Sequence, residues 1–237
     1  MADQTSHTVK SYDDDIHQLR SLISQMGGLC EAQIIDAIDA LTRRDAEAAL
    51  KVVATDARID ALEGEAEKLA IQIIALRAPM ATDLREIVAC LKISSVLERI
   101  GDYAKNIAKR ASALAQAAPI EPMVIVPEMA RVVAVMVKDV LDAFVDRDPE
   151  LALAVCQRDQ TVDNFYSSLF RSLLTFMMEN PHHITPSTHL LFIAKNLERI
   201  GDHATNVAEM VHYSATGHLI SERPRGDDTA FATSAAA

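Results

Sequence analysis

The sequence predicts an all-α protein made of two tandem, pseudo-symmetric three-helix bundles. Apolar residues recur at helical spacing along most of the 237 residues, and strand-like alternation is hard to find. The 7 glycines and 8 prolines are too few for a loop-rich β protein, and only 4% of the residues are aromatic, which favours helices packed by small aliphatic side chains. The second half of the chain also repeats the first, as expected for two similar units related by a pseudo-twofold axis.

Six helices are expected, three in each half, with boundaries set by capping residues and prolines. The first helix allows a bend at Gly27-Gly28, because glycine has a low helix propensity. The second ends before Pro79, and the fifth begins at Pro149, a favourable first-turn residue, and ends before Pro181. The predicted ranges are 13–44, 46–77, 82–116, 128–145, 149–180 and 187–216.

Prolines also mark the boundary between the two halves. Pro119, Pro122 and Pro127 lie close together and indicate a linker. The residues after the sixth helix are small and polar, which is typical of a disordered tail. The expected units are a first repeat at 12–118, a linker at 119–127, a second repeat at 128–219 and a tail at 220–237.

The repeat is clearest in a short motif that carries acidic residues. Residues 97–102 are Leu-Glu-Arg-Ile-Gly-Asp, and the same six residues recur at 197–202. Earlier elements recur at an offset of 103, pairing Arg44 with Arg147, Asp56 with Asp159, and Asp60 with Asp163. A match that covers all three helices of each half is far beyond chance and supports the prediction of two similar bundles.

The composition limits the classes of ligand and partner. The formal net charge is −11 at pH 7, so a nucleic-acid backbone would be repelled, while cations and basic protein surfaces would be attracted. No apolar run approaches the roughly 20 residues of a membrane-spanning helix, and the N-terminus lacks the features of a signal peptide. The separated cysteines Cys30, Cys90 and Cys156 suit a reducing cytoplasm and inert, buried thiols. We therefore expect a cytoplasmic protein without a nucleic-acid partner.

The repeated motif places its polar residues on one helix face. At 100° per residue, Glu98, Asp102 and Asn106 lie within about 80° of one another on the third helix. The apolar stripe that includes Ile93 and Ile100 points nearly the opposite way. We therefore expect the carboxylates to face away from the core of the bundle.

Neighbouring acidic residues make this face a candidate cation site. Two carboxylates at positions i and i+4 repel each other unless a positive group lies between them. If the second and third helices are neighbours, Asp60 approaches Glu98 and Asp102. Such a set of hard oxygen donors suits Mg²⁺, Mn²⁺ or iron.

The alternative is a solvated acidic face paired with basic side chains. In the first half Arg99, Lys105 and Lys109 lie close enough along the helix to form such pairs. In the second half the two lysines are replaced by Thr205 and Glu209, although the motif carboxylates remain. The spacing alone leaves a metal site and a charged surface equally open.

The duplicated motif Glu-Arg-Ile-Gly-Asp-x-Ala-x-Asn resembles that of the PhoU family of phosphate-uptake regulators, and the resemblance covers residues 12–219. It implies two helical bundles in a cytoplasmic, non-enzymatic protein, which we expect to be a homodimer. Members repress the phosphate-starvation response when phosphate is plentiful. They are thought to connect a phosphate-importing ABC transporter, through its ATPase subunit, with a PhoR-type sensor histidine kinase, so membrane association would be peripheral and through these partners.

The resemblance also implies metal binding, with iron, zinc, manganese or magnesium as the candidate ions. Asp60 and Asp163 would be contributed by the second and fifth helices, with Asp56 and Asp159 as further candidates. The motif ligands implied are Glu98, Asp102, Asn106, Glu198, Asp202 and Asn206. Glu63 and Glu67 extend the acidic stripe of the first half, whereas Tyr166 and Phe170 take their places in the second, so we expect two unequal sites.

Two other functions are compatible with a helical bundle. A di-metal carboxylate enzyme of the ferritin-like kind uses Glu-x-x-His motifs inside the bundle, but Gly101 and Gly201 occupy the histidine positions here. A structural module that binds no ligand is the second alternative, and a metal-dependent melting temperature would distinguish it from a metal-binding protein.

Overall fold

A computed structural model of the chain describes residues 10–118 and 120–220. In that part of the chain the secondary structure is entirely helical, which confirms the predicted all-α class. The six long helices are α1 (Lys10–Arg43), α2 (Ala46–Arg77), α3 (Thr82–Leu114), α4 (Ile125–Asp146), α5 (Pro149–Glu179) and α6 (Ile184–Thr216). Short 3₁₀ turns at Glu121–Val124 and Pro181–His183 precede α4 and α6.

The predicted boundaries differ from the observed ones mainly where prolines lie inside a first helical turn. Pro127 and Pro186 are the third residues of α4 and α6, so both helices begin earlier than predicted. The first turn tolerates proline because its N–H groups have no partner within the helix. Helix α1 is unbroken at Gly27-Gly28. The predicted tail lies outside the described residues apart from Ile220.

The repeated Arg-Asp pair forms the same turn in both halves. Arg44 and Arg147 adopt left-handed backbone conformations, with φ of 58° and 53°, at the ends of α1 and α4. The following residues, Asp45 and Asp148, cap the next helix by accepting hydrogen bonds from its first-turn N–H groups. The repeat in the sequence therefore encodes a repeated helix–turn–helix connection.

The six helices form two bundles that share a central seam. Helices α1, α2 and α3 pack together as the first bundle, and α4, α5 and α6 pack together as the second. The bundles meet where α3 contacts α6 and α1 contacts α4, whereas α2 and α5 pack chiefly within their own bundles. The apolar stripe of α3, including Ile93 and Ile100, is fully buried as predicted.

Close contacts hold the seam together at several levels. The rings of Tyr103 on α3 and His203 on α6 meet edge-to-face, with 5.2 Å between their centroids. Glu86 accepts charged hydrogen bonds from Arg20 of α1 and from Arg147 at the end of α4, at 2.9 and 2.7 Å.

None of the helices described is both long and apolar enough to cross a membrane.

Candidate functional site

The acidic face of the first bundle is formed by α3 and the adjacent helix α2. The side chain of Asp102 is 45% exposed and Asn106 is exposed, as predicted for the motif face, and Asp60 of α2 is exposed as well. Asp56 is different, because only 4% of its surface is exposed. The outward orientation was predicted for the motif residues of α3, whereas Asp56 points from α2 into the contact with α3.

Lys105 lies between the two aspartates of this face. Its Nζ donates to Oδ2 of Asp56 at 2.5 Å and to Oδ1 of Asp102 at 2.8 Å. These hydrogen bonds and charges raise the pKa of Lys105, so it is a cation throughout the physiological range. One ammonium group thus joins α2 to α3 and neutralises the buried aspartate.

Glu98 brings together the remaining carboxylates of the first bundle. Burial raises its pKa, and the charges of Asp102, Glu63 and Asp60 raise it further. The charges of Asp60 and Asp102 therefore act on Glu98, and the cation site predicted from these three residues stays a prediction. Within the ranges described, however, no three histidine, cysteine or carboxylate side chains converge closely enough to enclose a metal ion.

The second bundle repeats the arrangement with a more buried glutamate. Asp159 of α5 is only 6% exposed, like its counterpart Asp56. The outward orientation expected of the motif carboxylates is wrong for Glu198 of α6, whose side chain is only 13% exposed. Its Oε1 accepts from Lys195 Nζ at 2.7 Å, and its Oε2 is buried without a hydrogen-bond partner. Burial raises the pKa of Glu198, Lys195 opposes that rise, and the charges of Asp202 and Asp163 add to it. Asp163, Glu198 and Asp202 are therefore neighbours, and Asn206 lies half-buried one turn beyond Asp202 on α6.

The two bundles use lysines at different positions. Lys105 corresponds to Thr205, a buried residue whose hydroxyl donates to the backbone oxygen of Asp202 at 2.7 Å. Lys195 corresponds to Ser95, which is exposed. The lysines are thus combined with the motif differently in each half, whereas the inequality expected from Tyr166 and Phe170 stays a prediction.

The repeated glycine of the motif allows the neighbouring helix to approach closely. A Cβ atom on Gly101 would lie 2.9 Å from Cδ1 of Ile59, and one on Gly201 would lie 3.2 Å from Oδ1 of Asp159. Both contacts come from the adjacent helix, α2 or α5, and not from open space that a ligand could enter. The glycines therefore allow α2 and α5 to pack closely on the motif helices, and at Gly201 the approaching atom belongs to the buried Asp159.

One polar residue near the site is not apparent from the sequence pattern. Gln33 of α1 is buried, donates from Nε2 to Thr55 Oγ1 at 2.9 Å, and turns an unpartnered Oε1 towards Gly101. The only sequence signal was a polar residue beside the apolar positions of α1.

Nearby, Cys30 donates to the carbonyl of Leu97, and burial raises its pKa to about 12, which makes its thiol unreactive as expected.

The donor sets differ in how well they fit a metal ion. All candidates are hard oxygen ligands of the kind that Mg²⁺ and Mn²⁺ prefer. In the first bundle Lys105 already occupies the space between Asp56 and Asp102, so these two residues do not fit a metal ion as they stand. In the second bundle Oε2 of Glu198 has no hydrogen-bond partner and the charges of Asp202 and Asp163 act on it, so a cation would meet less competition there, although no three such ligands converge in the described part of this bundle either.

Comparison with known proteins places this architecture in one family. The family model described as the PhoU domain matches residues 23–111 and 126–211, once in each bundle. A phosphate-specific transport system accessory protein PhoU homolog from Zymomonas mobilis is 52% identical over 227 residues, which cover 96% of each chain. The crystal structure of PhoU from Pseudomonas aeruginosa has a TM-score of 0.85 at 39% identity, covering 87% of this chain and all of that one.

A more distant structure shows the same fold. The phosphate transport system regulatory protein PhoU from Streptococcus pneumoniae has a TM-score of 0.82 at 27% identity and covers 89% of this chain and all of that one. The duplicated motif, the two bundles and these similarities agree, and the chain belongs to the PhoU family.

Proposed function

We propose that this chain is a non-enzymatic adaptor that regulates phosphate uptake and represses the phosphate-starvation response when phosphate is plentiful. The observation that carries the proposal is the 52% identity, over nearly the full length of both chains, to a protein named as an accessory of a phosphate-specific transport system. The Streptococcus pneumoniae relative is likewise named a regulatory protein of phosphate transport.

The proposed partners are the ATPase subunit of a phosphate ABC transporter and a PhoR-type sensor histidine kinase. A chain of net charge −11 favours basic docking surfaces on both partners, because opposite charges speed encounter and select orientation. In this proposal the chain acts in the cytoplasm as a homodimer and reaches the membrane only through the transporter or the kinase.

We further propose that divalent or transition-metal ions, from among magnesium, manganese, iron and zinc, bind the acidic face of the second bundle. A bound ion would supply positive charge and so relieve the repulsion from Asp202 and Asp163, which adds to burial in raising the pKa of Glu198. The support for this site is that Glu198 Oε2 is buried without a hydrogen-bond partner. The proposed ligands there are Asp159, Asp163, Glu198, Asp202 and Asn206.

Deletion of the gene tests the regulatory role. We expect the deletion strain to express phosphatase and phosphate-uptake genes in phosphate-rich medium, and a plasmid copy of the gene to restore repression. A plasmid with a premature stop codon is the matched control. Repression that persists in the deletion strain would reject the proposed function.

A further inference from the structure

We propose that the ammonium group of Lys105 takes the place of a metal ion at the acidic face of the first bundle and excludes metal ions from it. The two halves of this chain therefore differ in their metal binding. The inference rests on the proposed metal binding and adds how that binding is distributed. The donor set implied for the first bundle does not fit a metal ion, because Lys105 forms ion pairs with two of its residues, Asp56 and Asp102.

The contacts of Lys105 are those expected of a replacement for a bound ion. Its Nζ lies within hydrogen-bond distance of one carboxylate from α2 and one from α3. Asp56 is almost fully buried, and the side chain of Lys105 is only 25% exposed. A buried carboxylate needs a positive partner to remain charged, and Lys105 supplies that charge from within the chain.

A metal ion and this ammonium group compete for the same oxygens. A divalent ion that used Asp56 and Asp102 would face a positive charge a few ångströms away, which is strongly unfavourable in a partly buried setting. Lys105 would have to leave both aspartates before the ion could bind. The first bundle therefore keeps its acidic face assembled without metal.

The second bundle lacks this residue. Thr205 occupies the corresponding position, and its hydroxyl is directed to the backbone oxygen of Asp202. The lysine that is present, Lys195, reaches the opposite end of the motif and contacts one oxygen of Glu198, leaving Oε2 without a partner. Its ammonium also lies 5.1 Å from the ring centroid of Tyr166, which holds it to that side. The second bundle thus has no lysine at the position of Lys105, and Oε2 of Glu198 has no hydrogen-bond partner.

Manganese titration of the chelator-treated full chain tests the inference, with Mn²⁺ alone as the probe. Lys105→Thr copies the residue of the second bundle, and Lys105→Gln removes the charge while keeping a long polar side chain. Lys109→Thr is the matched control, because Lys109 is exposed on the same helix and its loss changes the net charge equally. We expect both Lys105 variants to bind one more Mn²⁺ than the wild type, or to bind Mn²⁺ about tenfold more tightly, and Lys109→Thr to match the wild type.

A second readout is the melting temperature in EDTA. Both Lys105 variants should melt several degrees lower than the wild type, because Asp56 is left buried without its cation, and Mn²⁺ should restore most of the loss. If Lys105→Thr misfolds, the same comparison is made with Lys105→Gln.

The outcomes separate this inference from the proposed function. Equal Mn²⁺ binding by the wild type and all three variants would reject the role of Lys105 but keep metal binding. Binding by the Lys105 variants alone would support the role of Lys105 and reject the metal site of the second bundle. The absence of binding in every protein would reject both.

Discussion

Glu98 is the carboxylate of the first acidic face on which the charges of three other carboxylates act. Its carboxylate is partly buried and lies among the charges of Asp102, Glu63 and Asp60, so its pKa is raised above the ordinary value. A carboxylate whose pKa is higher in the folded state binds a proton more readily there than in the unfolded chain. Its charge therefore opposes folding at neutral pH, and this cost falls as the pH drops through the folded-state pKa and is gone below the pKa of the unfolded chain.

Replacement of Glu98 by glutamine removes that cost. We expect Glu98→Gln to raise the melting temperature of metal-free protein at pH 7. The gain in unfolding free energy should be at most about 1 kcal/mol, because solvent screens much of the repulsion. The gain should shrink as the pH is lowered from 7 into the acidic range, where the wild-type carboxylate takes up a proton. Thermal melts over this pH range check both points. Glu65→Gln, an exposed change on α2, is the control, and a gain of equal size there would show that net charge alone is responsible.

At the scale of the helix, the adjacent glycines of α1 have opposite surroundings. A Cβ atom on Gly27 would overlap the side chain of Leu141 on α4, whereas one on Gly28 would meet nothing within 4 Å. Gly27 therefore permits the close contact of α1 with α4, and Gly28 only lowers the helix propensity of α1.

Alanine at each position should act in opposite directions. We expect Gly28→Ala to raise the free energy of unfolding by about 0.5–1 kcal/mol, through the higher helix propensity of alanine. Gly27→Ala should lower it by about 1–3 kcal/mol, because a buried leucine has to move in a packed seam. Urea denaturation of the two variants measures the difference. Equal effects would mean that the contact between α1 and α4 is not tight at this point.

These helices also show which features the sequence could predict and which it could not. The order of the helices follows from local signals, namely prolines, the repeated Arg-Asp caps and the apolar stripe of α3. The burial of Asp56 does not, because it depends on how closely α2 approaches α3 over Gly101. The pairing of Lys105 with Asp102 is visible as an i, i+3 spacing, but its second contact, with Asp56, is made between helices and needs the tertiary structure.

At the scale of the whole molecule, Glu86 links the two bundles electrostatically. It receives guanidinium groups from α1 and from the end of α4, and its side chain is only 13% exposed. Arg20 also donates to the carbonyl oxygens of Phe144 and Val145, so the same cluster closes the C-terminus of α4. One carboxylate thus helps to fix the first bundle against the second.

Removal of the Glu86 charge should weaken the union of the bundles. We expect Glu86→Gln to lower the free energy of unfolding by about 2 kcal/mol, since charged hydrogen bonds from two arginines are lost or weakened. Calorimetric unfolding measures this loss, and a broadened or split transition would indicate that the bundles then unfold separately. Glu128→Gln, which removes an exposed pair with Arg131, should have little effect. A loss of equal size in both variants would contradict the role of Glu86.

Because the net charge is −11, cations could stabilise this chain either by binding at a specific site or by general screening, and the two effects can be separated. Any salt reduces repulsion within so acidic a chain, so the response to a divalent ion has meaning only at matched ionic strength. We expect millimolar Mn²⁺ or Mg²⁺ to raise the melting temperature by several degrees more than NaCl does, because an ion that binds only the folded chain stabilises it. The double variant Glu198→Gln/Asp202→Asn should lose this difference, whereas Asp142→Asn/Glu179→Gln, with the same change in charge at exposed positions of the same bundle, should retain it. Equal responses of the two double variants would mean that the cations act by general screening, and the proposed metal site of the second bundle would be rejected.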